Sequence, residues 1–219
     1  MFIGHFALGY AAKRWVPQVS LALLFAGALF ADLLWPVLVA FGIEQVRIAP
    51  GITAATPLEF ISYPYSHSLL TLIVWGALAG WIWMRWYRST AVFFVVLALV
   101  VSHWVLDFIT HIPDMPLYPG GPKFGLGLWN SIAGTFAVET VMFVIGVWIY
   151  TRATRARDRI GMWAFVGLTA FLGIGFVTNV SAPPPPSIAA LWIMALLLGG
   201  LTIALAWWAD KHRMSKEGP

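Results

Sequence analysis

Two histidines and one aspartate recur at intervals of four residues near the end of a long apolar run. They are His103, Asp107 and His111, within the stretch SHWVLDFITH. On an α-helix, residues four apart are turned only about 40° from one another, so the three form one polar stripe. Imidazole and carboxylate groups are ligands of zinc and similar divalent cations. The stripe therefore predicts part of a metal site, and a structural hydrogen-bonded pair of His103 and Asp107 is the alternative interpretation.

The chain that carries this stripe has the composition of an integral membrane protein. Of its 219 residues, 60% are hydrophobic and 10% are charged, whereas a soluble domain has about 25% charged residues. The sequence has no cysteine, which excludes disulfides and thiolate metal ligands. The net charge of +4 is expected to reflect topology and contact with anionic membrane lipids, and no nucleic-acid partner is expected.

The elements that must position the stripe are membrane-spanning helices. Six apolar runs are long enough to cross a hydrocarbon core about 30 Å thick. They cover residues 19–42, 68–84, 91–112, 131–150, 160–182 and 187–209. The predicted fold class is all-α, a polytopic membrane protein with six transmembrane helices in a single membrane-embedded domain, residues 1–219. The two long connections, residues 43–66 and 113–130, are expected to be lids or binding loops.

The distribution of lysine and arginine predicts the orientation of these spans. Of the 13 basic residues, 11 fall on one side of the predicted spans, and only Arg47 and Lys123 fall on the other. Loops rich in basic residues stay in the cytoplasm. We therefore expect a multi-pass protein of the bacterial inner membrane with both termini cytoplasmic.

Counting residues along the spans places further polar side chains near the depth of the stripe. A rise of about 1.5 Å per residue places Asp32 about 20 Å and His103 about 18 Å from the inner boundary. His67 opens the second span from outside, and Glu139 lies about 12 Å below the outer start of the fourth. His5 reaches this depth only if the first residues fold back as a re-entrant half-helix, which is a hypothesis for the structure to test.

A cluster of this kind would support metal-assisted hydrolysis. A divalent cation, zinc above all, lowers the pKa of a coordinated water from 15.7 to about 7. Residues 1–140 are the predicted metal-site half, and residues 141–219 are predicted scaffold helices. Asp32, Asp107 and Glu139 are the predicted catalytic carboxylates, which help to hold or orient the water or act as general base. The predicted metal ligands are His5, Asp32, His67, His103, Asp107 and His111.

Four short segments, taken in order, resemble a known family over about residues 1–140. They are GHFALGYAA at 4–12, ADLLWP at 31–36, SHSLL at 66–70 and SHWVLDFITH at 102–111. Together they resemble the YdjM-like inner-membrane metal-dependent hydrolases. The polar residues also resemble the ligand order of zinc-dependent phospholipase C and related nucleases, which implies that Glu139 is a ligand beside the six residues above. Those phospholipases have one more histidine before the last ligand, and no histidine lies between His111 and His212. One or two ions are therefore expected.

The expected function is that of an integral inner-membrane hydrolase acting on an ester or phosphoester of a lipid or lipid-linked substrate. The alternative is a transporter whose intramembrane aspartates and histidines couple movement to protons or ions. We find no inverted repeat or matched pair of interrupted helices of the kind that typifies transporters. A catalytically inactive scaffold that keeps a metal for stability is a third interpretation. The sequence leaves the substrate and the oligomeric state open.

Overall fold

The computed structural model describes residues 1–216, and helices dominate the described part. Its helices are α1 (Ile3–Ala12), α2 (Leu21–Ala28), α3 (Phe30–Ala40), α4 (Leu69–Tyr87), α5 (Thr90–Thr110), α6 (Ile132–Ala153), α7 (Arg159–Ser181) and α8 (Ile188–Lys211). Its short strands are β1 (Gln45–Ile48), β2 (Leu58–Ser62), β3 (Met115–Pro116), β4 (Lys123–Phe124), β5 (Thr154–Ala156) and β6 (Arg213–Ser215). The all-helical class is confirmed, with the strands confined to three two-stranded hairpins or pairs.

Five of the predicted spans are single helices, α4 to α8, each long and apolar enough to cross a membrane. The predicted first span, residues 19–42, is broken into α2 and α3, which are bent by 60°. Residues 1–216 therefore contain five helices that could cross a membrane, or six spans if the bent pair counts as one. At the break, the carbonyl of Ala28 accepts a hydrogen bond from His103 Nδ1 at 2.9 Å. A side chain of the site thus satisfies a carbonyl at the end of α2.

The N-terminal residues form the short helix that the position of His5 requires. α1 has 10 residues, of which nine are buried, and at about 15 Å it is half as long as a full span. It packs mainly against α6, and also against α2 and α5. The close approach to α6 depends on Gly146, where a Cβ atom would lie 2.3 Å from the Ala7 carbonyl oxygen. The hypothesis of a half-helix inside the bundle is confirmed.

The two ends of the bundle are different in structure. One end, called here the hairpin end, carries β1 paired with β2 and β3 paired with β4, both antiparallel. A hydrogen bond of 3.0 Å from Ala55 N to Trp129 O connects the two long connections there. The other end, called the basic end, carries β5 paired with β6 and the buried ion pair of Lys13 with Asp210. The side of the membrane that each end faces stays a prediction.

Apolar packing joins the helices, and apolar side chains also cover much of the outside. One buried cluster surrounds Tyr10 and Leu168 and joins α1, α2, α6, α7 and α8. Another surrounds Leu72 and Val96 and joins α1, α2, α4 and α5. Large apolar side chains on the outer faces, such as Leu197 at 64% exposure, are accommodated by lipid. This distribution agrees with a helical bundle in a membrane.

Candidate metal centre

The carboxylate of Asp107 on α5 lies among three imidazole rings. Its Oδ2 atom is 3.2 Å from His103 Nε2 and 3.8 Å from both His67 Nε2 and His111 Nε2. His103 and His111 flank Asp107 by one helical turn on each side, as the stripe predicts. His67 comes from a different part of the chain, the segment immediately before α4. Three Nε2 atoms therefore surround one carboxylate oxygen.

Asp32 supplies a second carboxylate from the first turn of α3. Its Oδ1 atom is 3.6 Å from His67 Nε2 and 3.7 Å from His103 Nε2. The side chain of Asp32 is 45% exposed, whereas those of His67 and His103 are 4% and 0% exposed. The cluster is therefore buried on most sides and accessible beside Asp32.

The second ring nitrogen of each of these three histidines has a hydrogen-bond partner. The pairs are His103 Nδ1 with the Ala28 carbonyl (2.9 Å), His67 Nδ1 with Ser66 Oγ (2.7 Å) and His111 Nδ1 with Asp114 Oδ1 (2.9 Å). Histidines that bind metals commonly donate their other N–H group to a carboxylate, a carbonyl or a water, which fixes the ring and its tautomer. With Nδ1 engaged in this way, the Nε2 lone pairs are available to a cation.

The nitrogen-to-oxygen separations among four of these residues are close to those between neighbouring ligands of a zinc ion, although the ligand atoms that lie within 4.8 Å of one another form two groups of three, both containing His103. Bonds of 2.0 to 2.2 Å to zinc place neighbouring ligand atoms about 3.3 to 3.6 Å apart. The four separations between the Nε2 atoms of His67 and His103 and the nearest oxygens of Asp32 and Asp107 are 3.2, 3.6, 3.7 and 3.8 Å. His103 Nε2 is also buried with no well-oriented hydrogen-bond partner among the described residues. The residues present therefore fit a divalent cation.

α1 brings His5 to the other oxygen of Asp107. His5 Nε2 is 3.0 Å from Asp107 Oδ1, and the amino group of Met1 bonds to the same oxygen. The ring of His5 stacks on that of His103 with centroids 3.8 Å apart. His5, His103 and Asp107 form a second group of ligand atoms that lie within 4.8 Å of one another. The other group consists of Asp32, His67 and His103. Asp107 thus belongs to the group of His5, and its Oδ2 atom also lies 3.8 Å from His67 Nε2 in the other group.

Glu139 lies beside α1 rather than among the convergent ligand atoms. Its Oε2 accepts hydrogen bonds from the backbone N–H groups of Phe2 (2.7 Å) and Gly4 (3.2 Å). These N–H groups at the start of α1 have no intrahelical partner, so the carboxylate satisfies them. The Oε1 atom is buried and has no partner among the described residues. The predicted ligand and catalytic roles of Glu139 stay predictions.

No lysine or arginine side chain among residues 1–216 forms an ion pair with either aspartate of the cluster. Asp32 pairs with His67 and His103, and Asp107 pairs with the Met1 amino group and with His5, His67, His103 and His111. Two carboxylates are therefore gathered with few fixed positive charges, and a cation held between them would offset their charge.

Two carboxylates that the sequence analysis did not select support the histidines. Asp114 accepts a hydrogen bond of 2.8 Å from the Tyr63 hydroxyl and also bonds to His111. Burial and the neighbouring Asp114 raise the pKa of Tyr63 well above its usual value, so its hydroxyl remains a donor. The spacing of three between His111 and Asp114 could have indicated this pair. Glu44, which bonds to Ser66 22 residues further along the chain, had no such signal.

Comparison with known proteins identifies the family. A family model described as YdjM inner membrane protein matches residues 1–182, a range that includes every residue of the cluster. No curated protein and no solved structure matches the chain.

Proposed function

The chain belongs to the YdjM inner membrane protein family, and we propose that it is a metal-dependent hydrolase. The observation that carries this proposal is the convergence of Nε2 atoms from separate segments on Asp32 and Asp107. Each of the three histidines around Asp107 Oδ2 has its Nδ1 atom held by a partner, as metal-binding histidines commonly have.

Asp32, His67, His103 and Asp107 would hold the cation. A bound zinc or similar ion supplies a Lewis acid that polarises an ester and makes water more acidic. Asp107 is the shared anion that keeps the imidazoles together. Asp32, being the accessible carboxylate, would orient a water molecule and accept its proton. The unpartnered Oε1 of Glu139 is a second proton acceptor in this proposal.

A lipid or lipid-linked ester is the proposed substrate, and an apolar groove supports it. The groove has a volume of about 590 Å³ and lies between α1, α5 and α6. Leu8, which lines it, is one helical turn from His5, and Ser102, also in its lining, is next to His103. A hydrocarbon chain in the groove would bring an attached ester to the level of the cluster.

The basic end is proposed to face the cytoplasm, because short basic connections are retained there. The cluster then lies in the outer half of the bundle, below the two hairpins of the hairpin end. This placement suits a substrate whose hydrocarbon part stays in the lipid layer.

Metal analysis and turnover of the purified protein test the proposal. We expect the wild type to retain one or two equivalents of zinc, manganese or iron and to hydrolyse p-nitrophenyl esters or phosphoesters or phospholipids. The double variant His103→Ala, Asp107→Ala should lose both properties. The matched control is Asp158→Ala, His212→Ala, which removes an exposed His and Asp pair of 2.8 Å outside the cluster and should retain both.

Three results would contradict the proposal in different ways. Equal metal content in the wild type and in the double variant of the cluster would show that the cluster does not bind the metal. Metal binding without hydrolysis of any of these compounds would support a structural metal instead. Ion uptake into proteoliposomes that depends on a pH gradient and on Asp107 would support a transporter.

A further inference from the structure

Glu44 is a buried carboxylate outside the metal cluster, between α3 and β1, and it is 2% exposed. Its Oε1 accepts hydrogen bonds from the backbone N–H groups of Tyr65 (2.8 Å) and Ser66 (2.9 Å). Its Oε2 accepts the Ser66 hydroxyl at 2.5 Å. Three hydrogen bonds therefore join one carboxylate to the segment that carries His67.

The direction of these hydrogen bonds determines where the proton of His67 lies. A serine hydroxyl has only one hydrogen, and that of Ser66 is donated to Glu44. The same oxygen lies 2.7 Å from His67 Nδ1, so the hydroxyl must accept a hydrogen from that nitrogen. A neutral imidazole has one N–H group. The Nε2 atom, which faces Asp32 and Asp107 at 3.6 and 3.8 Å, is consequently left with its lone pair.

We propose that Glu44 is a positioning residue that acts through Ser66 to hold His67 in the tautomer that can bind a cation. The hydrogen bond at one ring nitrogen selects the nitrogen that binds the metal. We call the three residues the Glu44–Ser66–His67 relay. The inference rests on the proposed function, because it assigns Glu44 a role in cation binding. Glu44 itself does not reach the cluster.

Replacing Glu44 with glutamine should reverse the direction of the hydrogen bonds in the relay while its side chains keep their positions. The backbone N–H groups of Tyr65 and Ser66 require an acceptor, so the amide oxygen should take the place of Oε1. The amide NH₂ group would then face Ser66 and donate to it. The Ser66 hydroxyl would turn its hydrogen toward His67 Nδ1, and the proton of the ring would move to Nε2. In that state, Nε2 no longer offers a lone pair to a cation.

The test variant is Glu44→Gln, and its control is Glu59→Gln, which makes the same charge change. Glu59 lies on the hairpin β1–β2 and pairs with the exposed Arg47. The first measurement is ¹⁵N NMR of metal-stripped protein labelled at its five histidines, with His67 assigned by its loss in His67→Gln. The second is zinc affinity by competition with a chelator. Ser66→Ala, which removes only a hydroxyl, tests the relay again if Glu44→Gln does not fold.

We expect the Nδ1–H tautomer for His67 in the wild type and in Glu59→Gln, and the Nε2–H tautomer in Glu44→Gln and Ser66→Ala. Zinc affinity should fall by about 10 to 100-fold in the last two, the usual effect of losing a partner of a metal ligand. An Nε2–H tautomer in the wild type, or unchanged zinc affinity in Glu44→Gln, would overturn the inference. A wild type that binds no metal but shows the Nδ1–H tautomer would instead overturn the proposed function and leave the relay intact.

Discussion

The imidazole rings of His5 and His103 lie in parallel contact, with their planes only 3° apart. One ring belongs to the half-helix α1 and the other to the full span α5. Both approach Asp107, His5 through Oδ1 and His103 through Oδ2. The contact therefore joins the N-terminal segment to the centre of the cluster.

The variant His5→Phe separates stacking from ligation, because phenylalanine keeps an aromatic ring but has no nitrogen for Asp107. His5 lies outside the four residues proposed to hold the cation, so we expect zinc affinity to fall by about 10 to 100-fold rather than to vanish. His103→Phe should abolish zinc binding. Chelator competition on both purified variants measures this, and equal losses would show that the two histidines are equivalent ligands.

The contact of α1 with α6 should be sensitive to a single methyl group. In Gly146→Ala, the new Cβ would lie 2.3 Å from a backbone oxygen of Ala7, so α1 must move. We expect a loss of about 1 to 3 kcal/mol in the free energy of unfolding and weaker zinc binding. Gly167→Ala on α7 is the control, because nothing lies within 4 Å of its added Cβ. Denaturant titration in detergent compares them, and equal stability of the two variants would contradict the packing described.

The ion pair at the basic end is buried and should contribute strongly to stability. Lys13 Nζ lies 2.7 Å from Asp210 Oδ2 and 2.8 Å from the Val19 carbonyl oxygen. Lys13→Met would leave Asp210 buried without its cation, and we expect a cost of about 3 to 5 kcal/mol. Arg47→Met, which breaks an exposed pair, should cost less than about 1 kcal/mol. Unfolding measurements that rank these variants in the opposite order would refute the expectation.

The pair of Asp158 and His212 predicts a pH dependence. The hydrogen bond from His212, followed by that from the Gly161 N–H group, holds the pKa of Asp158 below its ordinary value of 3.8. A carboxyl group whose pKa is lowered by folding stabilises the fold above its unfolded pKa, and this contribution is lost as the pH falls through the folded value. The melting temperature of the wild type should therefore exceed that of Asp158→Asn at pH 5, and the difference should shrink toward pH 3. A constant difference would exclude this linkage.

Filling the apolar groove should discriminate between substrates of different chain length. Ala98 is an exposed residue of α5 in the groove lining, so Ala98→Trp would occupy space that a hydrocarbon chain needs. We expect KM for a long-chain ester to rise at least about tenfold and KM for a short-chain p-nitrophenyl ester to change little. Ala189→Trp on α8 is the control. If both esters are affected equally, the groove does not hold the substrate chain.

The spans and the residues that meet near Asp107 could be predicted from the sequence, because hydropathy and helical rise depend only on local order. Counting along straight spans places Asp32 and His103 at similar depth and His67 at the outer end of its span, but it does not give the 60° bend that precedes Asp32. The half-helix could be predicted only as a condition for His5, because ten apolar residues do not by themselves show whether they enter the membrane.

The rest depends on contacts between distant segments. At the break between α2 and α3, the Ala28 carbonyl accepts a hydrogen bond from His103, a contact that no local pattern reveals. Glu44 and Ser66 meet through the folding of a long connection, and a lone glutamate in a loop is ordinarily a solvated residue. Glu139 was expected at the depth of the cluster, and in the structure its hydrogen-bond partners are backbone groups at the start of α1. Which groups the side chain of Glu139 contacts depends on how the helices pack, and counting along a span does not give this.

The bend between α2 and α3 also determines which group the Ala28 carbonyl can bind. A continuous helix through residues 28 to 32 would use the Ala28 carbonyl for its own ladder, since each carbonyl accepts from the N–H group four residues later. That oxygen would then be shared with, or withdrawn from, the imidazole of α5. The bend thus leaves this oxygen to the imidazole of His103, and straightening the first span would weaken the hydrogen bond that orients that ring.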